Sequence, residues 1–92
     1  MSLMFLWDPR KAASNLKKHG VGFPETSTVF GDPLSSTFPD PDHSVHEQRY
    51  ITIGMSGLGR LLVVSHLDED EAVRIISARL ATKAERKKYE EG

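Results

Sequence analysis

The chain has 92 residues, with 12 lysines and arginines against 13 aspartates and glutamates, and it contains no cysteine. At this length we expect one domain spanning residues 1–92, whose folding buries roughly 60 to 65% of the extended chain's surface. The absence of cysteine excludes a disulfide framework, a thiolate nucleophile and a zinc ribbon, and it suits the cytoplasm.

No apolar run, Leu61 to Val64 included, comes near the roughly 18 residues that a membrane span needs. The first residues also lack the basic and then apolar pattern of a secretory signal. We therefore expect a cytoplasmic protein with no membrane segment. Residues 1–3 precede a second methionine, Met4, and we treat them as an extension added in cloning.

Charge is distributed unevenly along the chain, although its net value is -1. Residues 1–24 hold four bases and one acid, and residues 72–92 hold six bases and three acids. Residues 25–48 hold five acids and no base. Such a chain can bind phosphate locally through its basic segments, although long-range steering of a nucleic acid would be weak.

The first third of the chain predicts one strand and two helices. Residues 4–7 form a short apolar run, which is typical of an edge strand. Asp8 is a good N-cap, the proline after it suits the first helical position, and Gly20 favours a helix end, so we predict a helix over residues 9–19. A second helix is predicted over residues 24–30.

The rest of the chain predicts four strands and a last helix. The strands cover residues 34–38, 49–55, 60–66 and 73–79, with a loop from 39 to about 47 and turns at 56–59 and 68–71. Alternation in the last strand places Val73, Ile75, Ser77 and Arg79 on one face and Arg74, Ile76 and Ala78 on the other. A capping box of Thr82 and Glu85 begins a helix that ends before Gly92.

The order of elements is strand, helix, helix, four strands and helix. The connections between the last three strands are too short for parallel crossovers. The sequence therefore predicts an α+β fold with a twisted, mainly antiparallel sheet, two N-terminal helices and one C-terminal helix.

Basic residues near the predicted strand ends are the first candidates for chemistry. The planar fork of arginine binds two phosphate oxygens at once and stays charged at any working pH. The candidates for a phosphate-binding surface are Lys18, Arg49, Arg60, Arg74 and Arg79. For any single arginine the alternative is an ion pair with a carboxylate, and position at a strand end favours Arg49 and Arg79.

Histidines are the second set of candidates, because imidazole ordinarily titrates near neutral pH. His66 ends a predicted central strand, and His19 lies at a helix C-terminus. Either one is a candidate for proton transfer, and either could equally be a capping or surface residue.

A metal site is the third alternative. His43, His46 and Glu47 lie close together in the sequence, but their spacing is not that of the helical zinc signature and the segment is a loop beside prolines. The glycines of residues 54–59 join two strands rather than leading into a helix, so they predict a turn and not a phosphate loop. We expect no metal and no cofactor.

Spaced blocks of residues resemble the BrnT toxin family in order from Phe5 to Glu91. The blocks are Trp7-Asp8-Pro9, Lys11, Asn15, Lys18-His19-Gly20-Val21, Val29-Phe30-Gly31-Asp32-Pro33, His43-Ser44, Glu47, Arg49, Ile53-Gly54, Gly59-Arg60-Leu61-Leu62-Val63-Val64, Arg74-Ile75-Ile76-Ser77-Ala78-Arg79, Glu85-Arg86 and Tyr89-Glu90. Gly22-Phe23-Pro24 departs from the family's polar opening of the second helix.

The resemblance implies a RelE-like fold and a metal-independent endoribonuclease of a type II toxin-antitoxin system that cleaves RNA and inhibits translation. It implies a BrnA-type antitoxin with a ribbon-helix-helix part, and binding of operator DNA through the antitoxin complex. We also expect that the free toxin could form a homodimer through a bare sheet edge.

Site roles follow from this resemblance together with position at strand ends. Arg49 and Arg79 are expected to stabilise the phosphate or the transition state, and His66 or His19 to transfer protons. Glu47 is a candidate for a base or for orienting Arg49. RNA contacts are expected from Lys18, Arg60 and Arg74. The alternative function is a non-catalytic protein that acts as co-repressor with a ribbon-helix-helix partner.

Overall fold

The computed structural model describes residues 3–43 and 47–92. The elements in chain order are β1 (Met4–Leu6), α1 (Pro9–His19), α2 (Phe23–Ser27), a 3₁₀ turn (Thr28–Gly31), β2 (Ser36–Pro39), a 3₁₀ turn (Pro41–His43), β3 (Arg49–Met55), β4 (Leu61–Glu69), β5 (Ala72–Leu80) and α3 (Lys83–Glu91). The strand order in the sheet is β1-β5-β4-β3-β2. Only the β1 and β5 pair is parallel among these strands, so the predicted α+β fold with a mainly antiparallel sheet is confirmed.

The first and last helices begin as their sequences predict. The carboxylate of Asp8 accepts the backbone N–H of Arg10 at 2.8 Å. Gly20 ends α1 with a φ of 70°, a left-handed conformation that glycine adopts without strain. At α3 the hydroxyl of Thr82 accepts the N–H of Glu85 at 3.2 Å, and the Glu85 carboxylate accepts the N–H of Thr82 at 2.8 Å. None of the helices in the described ranges is long and apolar enough to cross a membrane.

The second predicted helix is divided into α2 and the 3₁₀ turn that follows it. The hydroxyls of Thr26, Ser27 and Thr28 donate to backbone carbonyls three or four residues earlier, at 2.6 to 2.8 Å. Hydroxyl groups that bond locally in this way compete with the regular helical pattern. The change of helix type therefore has a local cause.

The strand boundaries that differ by more than one residue from the prediction are the start of β2 and the end of β4. β2 begins at Ser36 rather than Leu34, because the Asp32 carboxylate accepts the N–H of Leu34 at 2.9 Å and closes a turn there. β4 continues to Glu69, because it remains paired with β5 up to the Glu69 and Ala72 pair.

The two faces of the sheet are covered unequally. The first face packs against α1, α2 and the 3₁₀ turn after α2. Its buried residues are Val21, Phe23, Val29, Leu62, Val64, Ile75 and Ala78. On the second face, Tyr89 of α3 packs against a smaller cluster of Ile53, Leu61 and Val63. Part of the second face is left open beside this cluster.

A β-bulge in β5 corrects the predicted alternation of that strand. Ser65 pairs with Ser77, but the next residue of β4, His66, pairs with Ile75, so Ile76 is an extra residue in β5. Paired residues of antiparallel strands share a face of the sheet. Ile75 therefore stays on the helix-covered face, whereas Ser77 and Arg79 move to the open face.

Asn15 of α1 takes the place of a neighbouring strand beside the second half of β5. β1 pairs with β5 only as far as Arg74. Beyond it, the side-chain amide of Asn15 donates to the carbonyl of Ala78 at 2.9 Å and accepts the Ala78 N–H at 3.0 Å. The same amide donates to the carbonyl of Val21 at 2.9 Å. Asn15 is 6% exposed, so these bonds join α1 to the sheet away from water.

Replacing Asn15 by alanine should therefore destabilise the fold. Each buried polar group left unsatisfied costs about 1 to 3 kcal/mol, and the N–H and carbonyl of Ala78 would both lose their partner. We expect the free energy of unfolding to fall by at least about 2 kcal/mol in urea denaturation. Ser14→Ala, on an exposed position of the same helix, is the control. Equal losses in the two variants would contradict this role of Asn15.

Candidate functional site

The open face of the sheet holds a cleft of about 230 Å³, which we name the arginine cleft. Its lining residues are His19, Asp40, Arg49, Ile51, Val63, Ser65, Ser77, Ala78 and Arg79. Side chains of β3, β4 and β5 form its floor, and the end of α1 supplies His19 at the β5 side. The cleft brings together three of the predicted site residues, Arg49, Arg79 and His19.

The two arginines lie at different ends of this cleft. Arg49 is opposite Leu67 of β4, and Arg79 is opposite Val63. The two arginines are therefore four residue positions apart along the direction of β4. That spacing corresponds to roughly 13 Å along a strand. Because both long side chains line the same cleft, the arrangement can place positive charge on two sides of an anion.

Glu85 of α3 holds the guanidinium of Arg79 in place. Nη1 and Nη2 of Arg79 donate to Oε1 and Oε2 of Glu85 at 2.8 and 2.9 Å. The hydrogen bonds from Arg79, with a further one from the Thr82 N–H, lower the pKa of Glu85 to about 2, so the carboxylate is charged at neutral pH. Arginine has five N–H donors, so a guanidinium paired in this way keeps donors for a second anion.

Asp40 is a site residue that the sequence analysis missed. It is 7% exposed, lines the arginine cleft, and donates its backbone N–H to the carbonyl of Arg49 at 2.9 Å. In the sequence Asp40 stands between two prolines, and this pattern predicts only the end of a strand. No local pattern could have identified it, because the pairing of β2 with β3 carries it to Arg49.

His66 lies on the opposite face of the sheet from Arg49 and Arg79, and it is 1% exposed. Its ring packs edge-on against Phe30 and stacks on Tyr50, with centroid distances of 5.0 and 6.0 Å. Nδ1 lies 2.9 Å from the Asp68 carboxylate, which can only accept, so Nδ1 carries the proton. Nε2 then accepts the hydroxyl of Thr52 at 2.7 Å. The structure thus satisfies both ring nitrogens and does not bring His66 to the arginine cleft.

The remaining predicted site residues lie outside the arginine cleft. Arg60 binds the carboxylate of Glu25 through Nε and Nη2, with the Nε contact at 2.9 Å. Arg74 pairs with Glu69 at 3.0 Å, and the charge of Glu47 acts on Arg74 as well. The predicted RNA contacts of Arg60 and Arg74 and the predicted role of Glu47 stay predictions.

Lys18 lines a neighbouring cleft between α1 and β5. This cleft shares His19 and Ser77 with the arginine cleft, so the two are adjacent.

The alternative metal site falls largely outside the part of the chain that the structure describes. His46 and the side chain of His43 are not among the described residues, so that alternative stays untested. Within residues 3–43 and 47–92, no group of three or more histidine, aspartate and glutamate side chains is placed to hold a metal ion.

Comparison with known proteins assigns the chain to a family. Residues 7–85 match the model of a family described as ribonuclease toxin, BrnT, of type II toxin-antitoxin system. The chain belongs to this family. The solved structure of the Brucella abortus ribonuclease toxin BrnT is similar in fold, with a TM-score of 0.69 and 22% identity over 89% of this chain and 100% of that chain. A search of curated proteins finds no match.

Membership of the BrnT family confirms the resemblance that the spaced sequence blocks indicated. It makes the chain a ribonuclease toxin by family and implies a protein antitoxin as its partner, as for any type II system. At 22% identity the Brucella structure supports the fold alone.

Burial of His66 should make the stability of this BrnT protein depend on pH. Desolvation lowers the pKa of His66 below its usual value of 6.5, and the charge of Asp68 offsets this only in part. The unfolded chain therefore binds a proton more readily than the folded one, so stability is fully present above pH 6.5 and falls as the pH drops below it. Urea midpoints measured from pH 8 to 5 should decrease, and less steeply in His66→Gln. An equal slope in the variant would contradict the role of His66.

Proposed function

We propose that this protein is an endoribonuclease whose arginine cleft binds the scissile phosphate of RNA. The observation that carries the proposal is that Arg49, Arg79 and His19 all line one cleft on the open face of the sheet. Two arginines supply charge for a phosphate, and an imidazole supplies a group that can transfer a proton. Family membership supports this assignment, because the family is described as ribonuclease toxins.

The proposed reaction uses the RNA's own 2′-hydroxyl and needs no metal or cofactor. A base takes the proton of the 2′-hydroxyl, and the oxygen forms a bond to phosphorus. The bond between phosphorus and the 5′-oxygen breaks, and the departing oxygen takes a proton. The products are a 2′,3′-cyclic phosphate and a 5′-hydroxyl, and the protein contributes positioning, proton transfer and charge stabilisation.

We propose a role for each of these residues from its place in the cleft. Arg49 and Arg79 stabilise the charge that develops on the phosphate seated between them, and Glu85 keeps the Arg79 guanidinium oriented. His19 and Asp40 are the proton-transfer groups, because both line the same cleft as the arginines. His66 is assigned a structural role, since it is buried on the other face of the sheet.

The cellular role that fits this activity is inhibition of translation in the cytoplasm. The proposed partner is a BrnA-type antitoxin with a ribbon-helix-helix part, which neutralises the toxin and carries the complex to operator DNA. We propose that residues 1–92 act as one domain in both functions.

Cleavage of RNA by the purified protein in the presence of EDTA tests the proposed activity. Removal of one charge-stabilising donor typically costs about 2.7 to 4 kcal/mol of barrier, so Arg49→Ala and Arg79→Lys should each lower kcat by roughly 10² to 10³-fold. Lysine at position 79 keeps the charge and loses the planar fork. His19→Gln should also lower kcat, because it removes the imidazole that lines the cleft beside the two arginines.

Arg86→Ala is the matched control, because Arg86 is exposed on α3 and does not line the cleft. Circular dichroism establishes that each variant is folded. Wild-type rates in folded Arg49→Ala and Arg79→Lys would refute the assignment of the site, and loss of wild-type cleavage with EDTA would refute metal independence.

A second candidate function is protein binding without catalysis, and the edge of the sheet favours it. All four residues of the edge strand β2 are exposed. Phe38 of this strand is 43% exposed and lines an apolar cleft of about 240 Å³ beside Tyr89. An exposed edge of this kind can pair with a strand of another chain, either an antitoxin or, in the free toxin, a second copy.

Expression in bacteria without the antitoxin separates the two functions. A ribonuclease toxin should arrest growth, and Arg79→Lys should relieve the arrest at equal protein level, because binding at the β2 edge does not involve Arg79. Normal growth with the wild-type protein, measured beside the variant by optical density and immunoblot, would favour the co-repressor function.

A further inference from the structure

A second cleft, of about 190 Å³, lies between α1 and β5. We name it the α1 cleft; Lys11, Ser14, Lys18, His19 and Ser77 line it together with Asn15 and Ile76. His19 and Ser77 also line the arginine cleft. The two clefts are therefore adjacent at the edge of β5, where β1 no longer pairs with that strand.

The two lysines of the α1 cleft come from one face of α1. Lys11 and Lys18 are seven residues apart, which is close to two helical turns, and Ser14 lies between them on the same side. The described residues that line this cleft include two lysines and no carboxylate. Lys11 and Lys18 therefore differ from Arg60, whose guanidinium is bound by the carboxylate of Glu25.

Arg10 and Lys17 lie on the same helix with the same spacing, and they do not line either cleft. The side chain of Arg10 is 94% exposed. α1 thus carries two pairs of basic residues, and of these only Lys11 and Lys18 line the α1 cleft.

We propose that the α1 cleft binds a phosphate of the RNA strand next to the scissile phosphate. The inference rests on the proposed ribonuclease function, because it takes the arginine cleft as the place of the scissile phosphate. Lysine ammonium groups and a serine hydroxyl can bind phosphate oxygens without reading a base. The ligand is accordingly a single RNA strand of more than two nucleotides, which crosses the edge of β5 and lies along α1.

Binding of a hexanucleotide with fluorine in place of every 2′-hydroxyl tests this subsite, because that probe cannot be cleaved through its 2′-oxygen. Fluorescence anisotropy over a series of salt concentrations gives the association constant at each one, and from these the slope of its logarithm against the logarithm of the salt concentration. Each phosphate contact of a single strand contributes about 0.7 to that slope. The double variant Lys11→Ala/Lys18→Ala should lower the magnitude of the slope by about 0.7, the contribution of the one phosphate in the α1 cleft.

The double variant Arg10→Ala/Lys17→Ala removes the same charge from the same helix at the same spacing, and it should change the slope by clearly less. On a cleavable hexanucleotide, Lys11→Ala/Lys18→Ala should raise KM and leave kcat close to the wild-type value, since these lysines do not contact the reacting phosphate.

An equal change of slope in both double variants would overturn the subsite, and so would failure of the wild-type protein to bind the probe. Binding with the expected difference between the variants, but without cleavage of the natural RNA, would refute the ribonuclease proposal and leave Lys11 and Lys18 as contacts to an RNA strand that is bound and not cut. Circular dichroism of both double variants controls for folding.

Discussion

The β-bulge at Ile76 decides which face of the sheet carries Arg79. β4 alternates regularly, but β5 contains one extra residue, so the strand changes phase between Ile75 and Ser77. Two residues beyond the bulge, the side chain of Asn15 bonds to both backbone groups of Ala78. These bonds fix the position of β5 after its change of face. Bulges are known to redirect side chains next to functional sites. Here the bulge moves Arg79 from the helix-covered face to the open face, where Arg49 lies.

The two faces of the sheet differ in what they carry: the helix-covered face holds the main core, and the open face holds the arginine cleft. Helices on the first face bury the main core and, with it, His66, whose ring nitrogens are both hydrogen-bonded. On the second face Tyr89 of α3 covers only one part, and its hydroxyl donates to Asp32 at 2.6 Å, which ties α3 to the turn before β2. α3 also supplies Glu85 to Arg79. One helix thus closes part of the face and orients a residue in the part that stays open.

Local sequence signals predicted the helices and strands well, because the interactions that begin and end these elements join residues that are close in the sequence. The N-cap of α1 and the capping box of α3 involve residues two or three positions apart, and both are confirmed. The phase change in β5 and the approach of Asp40 to Arg49 depend on pairing between distant strands, which no short pattern encodes. For the arginines, position at strand ends favoured Arg49 and Arg79, and both line the cleft. The sequence did not show that Arg60 is bound to Glu25, because 35 residues separate the two.

A crystal structure with a bound 2′-fluoro hexanucleotide tests most directly whether the arginine cleft holds the phosphate on which we propose that the protein acts. We expect one phosphate between Arg49 and Arg79, with the strand continuing over the edge of β5 toward Lys18. An oligonucleotide bound at Arg60 or Arg74, with the arginine cleft empty, would contradict the claim.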